Sequence, residues 1–122
     1  MLHPHFHALA RPEQAAIIMA STGEIITFKQ LDERSNQAAQ LFRAQGLQRG
    51  DHIAFLFDNH SKFFEVVWGA ARAGLYFTPI SYYLQHDEIE YIINNCHAKV
   101  LVVAEKFADK IKPILEKLPE VK

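Results

Sequence analysis

The spacing of apolar and polar positions changes along the chain, and each change predicts a new element. Ala15–Ala20 and Glu24–Phe28 are short apolar runs rich in β-branched residues, separated by Ser-Thr-Gly. Such runs around a glycine-containing turn predict a β-hairpin. After it the apolar residues Leu31, Ala38, Leu41 and Phe42 fall on one helical stripe instead, and Gly46 follows as a natural C-terminal cap. A hairpin followed by an amphipathic helix is therefore expected at the start.

The helix has a sequence signal at its start as well. Thr27 and Gln30 have the spacing of a capping box, in which the Thr hydroxyl accepts the amide three residues later and the Gln side chain reaches back. We therefore place the beginning of the helix directly after Thr27.

Three strand–helix units follow. Their predicted strands are Ile53–Phe57, Tyr76–Ile80 and Val100–Val103. Their predicted helices are a stretch from Ser61 to Gly74, one carrying the stripe Ile89–Cys96, and Glu105–Leu118 interrupted by Pro113. Alternating strands and helices predict an α/β fold with a mostly parallel sheet flanked by helices, a Rossmann-like subdomain with a leading β-hairpin.

Composition narrows the class of protein. The chain has 122 residues, 49% of them hydrophobic, and a net charge of −1, so nothing draws it to nucleic acid or an anionic membrane. Cys96 is the single cysteine, which excludes an internal disulfide. No apolar run approaches the roughly 20 residues of a transmembrane helix, and the first residues lack the pattern of a signal peptide. We expect a cytoplasmic protein.

Histidines are concentrated near the amino terminus. His3, His5 and His7 would line one face of a strand and could then bind a transition metal, whereas in a helix only His3 and His7 share a face. Pro4 and the nearness of the terminus favour a frayed segment. We therefore predict no metal site.

The glycines resemble a phosphate loop only superficially. Gly46 and Gly50 follow a helix and open a strand, which is the reverse of the order in a phosphate loop. Gly69 and Gly74 have phosphate-loop spacing but are followed by Leu-Tyr instead of Lys-Ser or Lys-Thr. We interpret all four as structural glycines, with Asp51 capping the turn after Gly50.

Polar side chains after the first two parallel strands are the best candidates for a site, because ligands in open α/β sheets bind at the carboxyl ends of strands. Asn59 and His60 follow the first strand, although the simpler interpretation is a turn whose Ser61 caps the next helix. Tyr82 and Tyr83 follow the second strand, and at most one of the two adjacent rings is expected to face a ligand.

An acidic cluster and the single cysteine, both in the helix predicted around residues 87–96, have structural interpretations. Asp87, Glu88 and Glu90 lie in the first turns of a predicted helix, where the helix dipole favours negative charge. Cys96 lies on the apolar stripe of that helix and is most simply a small buried side chain. We expect neither a metal site nor a catalytic cysteine here.

The order of these features resembles a known family. The similar segments are Thr27-Phe28-Lys29-Gln30-Leu31, Gly46 to Asp51, Asn59, Gly69-Ala70, Ala73-Gly74, Pro79 and the run from Glu88 to Val103. Together they are similar to the amino-terminal subdomain of the acyl-activating adenylate-forming (AMP-binding) enzymes. The likeness extends from about residue 10 to the end, and it is strongest to bacterial fatty-acyl-CoA or related acyl-CoA synthetases.

The resemblance implies that the parent protein is an acid–CoA ligase. Such an enzyme joins a small carboxylic acid to the α-phosphate of ATP with Mg²⁺, and coenzyme A then displaces AMP. The phosphate loop, the adenine-binding motif and the catalytic Lys of the family would lie beyond residue 122, so no catalytic residue is carried over to this chain.

For the chain itself the resemblance implies a fragment. Residues 1–122 would be a single amino-terminal α/β subdomain of a larger enzyme, with the rest of that enzyme as its partner and no activity alone. As cofactor contacts only Asn59, His60 and Tyr83 are candidates. Tyr83 takes a position where some relatives place an Arg near coenzyme A, and a phenol supplies no charge there.

Two other interpretations stay open from the residues. The chain could be a self-standing, non-enzymatic α/β binding or interaction module. A Rossmann-type nucleotide binder is less favoured, because the glycine-rich strand-to-helix turn is missing. The end, Leu118–Lys122, has the pattern of a loop that leads into another strand. An uncovered sheet edge would then promote a homodimer or strand exchange.

Overall fold

The computed structural model describes residues 3–121. Its helices are Pro4–Ala10 (α1), Phe28–Ala44 (α2), Lys62–Arg72 (α3), His86–Asn95 (α4) and Ala108–Ile111 (α5), with 3₁₀ helices at Glu105–Phe107 and Lys112–Lys117. Its strands are Ala15–Ile18 (β1), Ile25–Thr27 (β2), His52–Leu56 (β3), Tyr76–Ile80 (β4) and Ala98–Val103 (β5). The chain divides into two compact units. Of the described residues, the first unit contains 3–46 together with 60–73, and the second contains 47–59 together with 74–121.

The first unit contains the hairpin and helices α1 to α3. Strands β1 and β2 pair antiparallel, with Ile17 opposite Ile26, and form a two-stranded sheet of their own. The predicted hairpin is confirmed, but it adds no strand to the parallel sheet. Strand β2 ends after three residues because Thr27 already serves as the cap of α2.

The start of α2 has the predicted capping box. Thr27 Oγ1 accepts a hydrogen bond from the Gln30 amide at 3.2 Å, and Gln30 Oε1 accepts one from the Thr27 amide at 2.9 Å. The buried face of the helix differs from the predicted stripe, since Leu41 is exposed. Ser35 is buried instead, because its hydroxyl donates to the Leu31 carbonyl at 2.6 Å and so leaves no unsatisfied polar group.

Helix α1 corrects the expectation of a frayed terminus. Pro4 occupies the first turn, where its missing amide costs nothing, and His3 Nδ1 accepts a hydrogen bond from the His5 amide at 3.1 Å. The ion pair between Arg72 and Asp32 joins α3 to α2, and His5 contacts the same carboxylate from α1 at 3.3 Å. These contacts tie α1 into the first unit.

The second unit is built on a three-stranded parallel sheet in the order β4–β3–β5. Phe55 of β3 lies opposite Pro79 on one side and Val102 on the other. Ile53 through Leu56 are fully buried, as a uniformly apolar strand predicts. The core residues that α4, α5 and the last 3₁₀ helix contribute are Ile89, Ile93, Ile111 and Ile114. The predicted α/β class and its parallel sheet flanked by helices are confirmed.

The interruption by Pro113 is also confirmed. The segment after β5 is split into a 3₁₀ turn, the single turn of α5 and a second 3₁₀ helix, and Pro113 lies at the start of the last piece. Among residues 3–121, no helix has the length and apolar character needed to cross a membrane.

Candidate functional site

Polar and aromatic groups collect after the carboxyl ends of all three parallel strands in the second unit. Asp58 follows β3, Tyr82 and Tyr83 follow β4, and Lys106 and Phe107 follow β5. We call these five residues the carboxyl-edge cluster. Lys106 Nζ donates to Asp58 Oδ2 at 2.7 Å and lies 5.3 Å from the centroid of the Phe107 ring. The loops after β3 and β5 are therefore linked by an ion pair that rests on an aromatic face.

Tyr82 is the centre of the aromatic part. Its ring stacks on Phe107 with centroids 5.2 Å apart and lies 4.3 Å from the ring of Tyr83. The Tyr82 hydroxyl donates to the Tyr83 hydroxyl at 3.0 Å. Phe107 and Tyr82 thus form a stacked pair of rings. Tyr83, with 78% of its surface exposed, is the ring that faces solvent. That at most one of the two rings faces a ligand stays a prediction, and Tyr83 is the ring that it concerns.

The surroundings of Tyr82 keep its hydroxyl in the neutral form. The hydrogen bond to Tyr83 raises the pKa of Tyr82 above its usual value of 10.0, and burial and the Asp58 carboxylate add to the shift. Tyr82 therefore stays protonated at neutral pH. Lys110 Nζ donates to the Tyr82 carbonyl and holds the backbone of the loop. The cluster presents an aromatic ring flanked by an ion pair.

The three residues singled out in the sequence lie in different surroundings. Tyr83 belongs to the carboxyl-edge cluster, and Asn59 is exposed one residue beyond Asp58. His60 belongs to the other unit. There its Nδ1 accepts a hydrogen bond from the Lys62 amide at 3.0 Å.

Ser61 does not cap α3 with its side chain, as the sequence had predicted. Its backbone is already helical, with φ −59° and ψ −31°, and no capping hydrogen bond forms. A side chain on a helical residue points away from the free amides of the first turn, so the imidazole of His60 takes over the role of acceptor.

Sequence reasoning missed Lys106, Phe107 and Lys110. These residues stood inside a segment interpreted only as a helix with a proline interruption. A signal was present, since they directly follow the third predicted strand and so reach the same sheet edge as Asn59 and Tyr83. The position of the strand end, more than the type of side chain, was the useful clue.

The amino-terminal histidines diverge. The ring of His3 meets Trp68 edge-on at 4.8 Å, while His5 Nδ1 lies 3.3 Å from Asp32. His7 Nδ1 contacts Arg11 at 2.9 Å. In the part of the chain from residue 3 to 121, no three His, Cys, Asp or Glu side chains are grouped to hold a metal ion.

The glycines have the conformations that turns require. Gly46, Gly50 and Gly74 have φ between 72° and 90°, in the left-handed region that favours glycine. The Gly50 amide donates to the Gly74 carbonyl at 2.8 Å, and Asp51 Oδ2 accepts from the Gln48 amide at 2.8 Å. The turn at Gln48–Asp51 is thus closed by the Asp51 carboxylate, and the Gly50 amide is satisfied by the Gly74 carbonyl.

The acidic residues and the cysteine of α4 occupy positions that helix capping and core packing explain. Glu88 Oε2 accepts from the Gln85 amide at 3.1 Å, and both Asp87 and Glu88 lie in the first turn of the helix. Cys96 ends the helix, is half-buried against the core and lies 3.4 Å from the Ile93 carbonyl.

The class of protein follows from this arrangement: an α/β domain with a parallel sheet and a polar carboxyl edge. Residues 5–122 match the family described as AMP-binding enzyme. The chain belongs to the AMP-binding enzyme family.

Individual relatives are named as ligases, in agreement with the family match. The chain is 34% identical over 103 residues to a crotonobetaine/carnitine–CoA ligase of Proteus mirabilis, covering 83% of this chain and 20% of the relative. It is 29% identical to the fatty acid–[acyl-carrier-protein] ligase ScoC of Streptomyces coeruleorubidus, covering 93% of this chain and 21% of that protein.

A solved structure extends the likeness to three dimensions. The fatty acyl CoA synthetase of Mycobacterium tuberculosis superposes with a TM-score of 0.90 at 26% identity, over 98% of this chain and 24% of that structure. The chain therefore spans only about a fifth to a quarter of the length of these proteins.

Proposed function

We propose that residues 1–122 are a single amino-terminal α/β subdomain of an acyl-CoA synthetase. The observation that carries the proposal is the family match over residues 5–122, together with relatives that are named CoA ligases. The chain spans 20% of such a relative. In the larger protein, the role of residues 1–122 is to form part of the scaffold of the active-site domain.

The reaction of that larger protein has two steps. A carboxylate oxygen of the acid attacks the α-phosphorus of ATP, an acyl–phosphate bond forms, and pyrophosphate leaves. The thiolate sulfur of coenzyme A then attacks the acyl carbon, a thioester forms, and AMP leaves with the bonding electron pair. The substrate is a small carboxylic acid, and a fatty acid is the first to try.

The described residues do not fit a Mg²⁺ site, since no grouped set of carboxylate or imidazole ligands exists between residues 3 and 121. The turn after β3, Phe57 to Lys62, contains no glycine that would let backbone amides surround a phosphate. We therefore assign the sites for ATP and Mg²⁺ to the rest of the larger protein and derive no step through them.

Any contact of this chain with coenzyme A would rely on stacking, because the Tyr83 phenol supplies no charge for the phosphates of coenzyme A. The exposed Tyr83 ring offers a stacking surface. The ammonium groups of Lys106 and Lys110 are engaged with Asp58 and with the Tyr82 carbonyl. We retain Asn59, His60 and Tyr83 as proposed contacts to the cofactor in the whole enzyme, with the stacking role falling to Tyr83.

The proposal is tested by AMP release from ATP, Mg²⁺, a fatty acid and coenzyme A. We expect none from the 122-residue chain and substantial release from the longer protein that contains it. In that longer protein, Tyr83→Ala should raise the KM for coenzyme A several-fold, because a stacked ring contributes about 1 kcal/mol, while the rate of pyrophosphate release stays unchanged. Tyr83→Phe, which keeps the ring, is the control.

Two results would contradict the proposal. AMP release by the short chain alone would show that it carries the chemistry itself. If the longer protein activates none of a broad panel of acids, the function as a ligase fails, and tight ligand binding by the short chain would then favour a self-standing binding module. A cytoplasmic location stays a prediction, which cell fractionation of the longer protein tests.

We also propose that the 122-residue chain forms a homodimer or exchanges strands with a second copy, as the pattern of Leu118–Lys122 predicts.

A further inference from the structure

The imidazole of His3 connects α1 to α3 within the first unit. Its ring meets that of Trp68 with centroids 4.8 Å apart, and its Nδ1 lies 3.5 Å from a guanidinium nitrogen of Arg72. The same Nδ1 accepts a hydrogen bond from the His5 amide at 3.1 Å, in the first turn of α1. Both groups that face Nδ1 are N–H donors, so only the neutral imidazole fits between them.

The imidazole of His7 connects α1 to the start of α2 and is needed in the same neutral form. Its Nδ1 lies 2.9 Å from a guanidinium nitrogen of Arg11, which can only donate, so Nδ1 is the acceptor. The ring centroid of His7 lies 5.0 Å from that of Phe28, and the guanidinium of Arg11 lies 5.7 Å from the same Phe28 centroid. A second proton on His7 would replace the acceptor by an N–H group and place a positive charge beside Arg11.

His5 responds to acid in the opposite direction. Its Nδ1 lies 3.3 Å from the Asp32 carboxylate, so a protonated His5 gains an ion pair with α2. The side chain of His5 is 45% exposed, and Asp32 is already paired with Arg72 of α3. An ion pair that is this open to water contributes little to stability. Protonation of the three histidines therefore removes two contacts of α1 and strengthens a weaker one.

We propose that α1 is an acid-released strap, which is docked on α2 and α3 while His3 and His7 are neutral and detaches when both are protonated, with the other two helices still packed together. The Arg72–Asp32 ion pair joins α3 to α2 without a contribution from α1, so it persists after the release. Release also removes His3 from the ring of Trp68. The strap does not depend on the proposed ligase function, because all of its contacts lie within the first unit.

The direction of the pH dependence follows from the groups that face His3. These are Arg72 from α3, Asp32 from α2 and His5 from α1 itself. Burial lowers the pKa of His3 below 6.5, Arg72 and His5 lower it further, and Asp32 opposes them. Docked α1 therefore binds the proton less readily than released α1, and the docked form is lost as the pH falls from 6.5 through the lowered pKa of His3.

NMR of the 122-residue chain tests the strap residue by residue. As the pH is lowered below 6.5, the Cα chemical shifts of Pro4–Ala10 should move from helical to random-coil values, while those of Phe28–Ala44 stay helical. The double variant of His3→Asn and His7→Gln keeps both acceptors but removes their titration, so its α1 should stay helical over the same pH range. His97→Gln, at a histidine of the second unit, is the matched control and should release α1 at the same pH as the unaltered chain.

His5→Gln gives a prediction of the opposite sign. It removes the ion pair that protonated His5 forms with Asp32, so α1 should detach at a higher pH than in the unaltered chain. This comparison also decides the matter if the double variant does not fold, and an unchanged or lower release pH would overturn the proposal. A folded double variant that releases α1 like the unaltered chain would overturn it as well. If Pro4–Ala10 stays helical until Phe28–Ala44 unfolds, α1 is an ordinary part of the first unit and no strap exists.

Discussion

A single imidazole near the amino terminus makes three contacts in the first unit. His3 Nδ1 accepts the His5 amide at 3.1 Å, which requires the neutral ring with its proton on Nε2. The same nitrogen lies 3.5 Å from an Arg72 nitrogen, and the ring contacts Trp68. Burial lowers the pKa of His3 below 6.5, the positive charge of Arg72 lowers it further, and Asp32 opposes the shift.

The pKa shift predicts an acid-sensitive contribution to stability. The folded chain binds the proton less readily than the unfolded chain, so stability is lost as the pH falls from 6.5 through the lowered pKa of His3. Unfolding in urea, followed by the fluorescence of Trp68, the single tryptophan, should show this loss as the pH is lowered below 6.5.

The variant His3→Asn supplies the comparison, because Asn keeps a capping acceptor that does not titrate. We expect its stability to depend less on pH than that of the unaltered chain. His5→Gln leaves His3 in place and removes the contact of the His5 ring to Asp32. Equal pH dependence in the His3→Asn variant and the unaltered chain would show that His3 plays no part in the acid sensitivity.

Gly69 illustrates how one absent methyl group sets the distance between two helices. A Cβ at this position would lie 2.6 Å from Ala38 Cβ and 3.1 Å from the Ser35 carbonyl oxygen. Helices α2 and α3 therefore approach each other closely enough that only glycine fits.

Gly69→Ala should destabilise the chain by about 1 kcal/mol. Overpacking costs about 1–3 kcal/mol, and the better helix propensity of Ala offsets part of it. Ala38→Gly removes the atom that is met first, so the double variant should recover part of the loss, measured as free energy of unfolding in urea. A single variant that is more stable than the unaltered chain would refute this interpretation of the contact.

Among the individual elements, local signals explain where helices begin better than which face they bury. The capping box of Thr27 and Gln30 forms as the spacing predicts. Ser61 fails as a cap, because the residue is already helical and His60 takes its place. The exposed Leu41 and buried Ser35 of α2 were equally out of reach of a periodicity argument. They depend on which neighbours pack against the helix.

Thr27→Ala should cost about 1 kcal/mol of stability, since it leaves the Gln30 amide without its acceptor. Thr27→Ser keeps the hydroxyl oxygen and should lose only a small part of that amount. Both values come from urea unfolding monitored by circular dichroism. If Ala and Ser behave alike, the β-strand propensity of Thr at the end of β2, and not the cap, accounts for the change.

For the molecule as a whole, two facts have to be combined: the family of the chain and the small share of a relative's length that the chain spans. The chain belongs to the AMP-binding enzyme family but spans 20% of a relative such as the Proteus mirabilis ligase. Its carboxyl-edge cluster contains three aromatic rings and the ion pair of Lys106 with Asp58. The small share of the relative's length is the reason for our proposal that catalysis belongs to a longer polypeptide.

Local residue patterns were enough to predict the hairpin, the three parallel strands, helices α2 to α4, the capping box and the turn glycines. These features depend on residues that are near neighbours along the chain, so periodicity and spacing report them directly. The folded chain was needed to show that Lys106 pairs with Asp58 and that the Tyr82 ring stacks on Phe107. Both contacts depend on residues brought together from distant segments, which side-chain patterns along the chain do not encode.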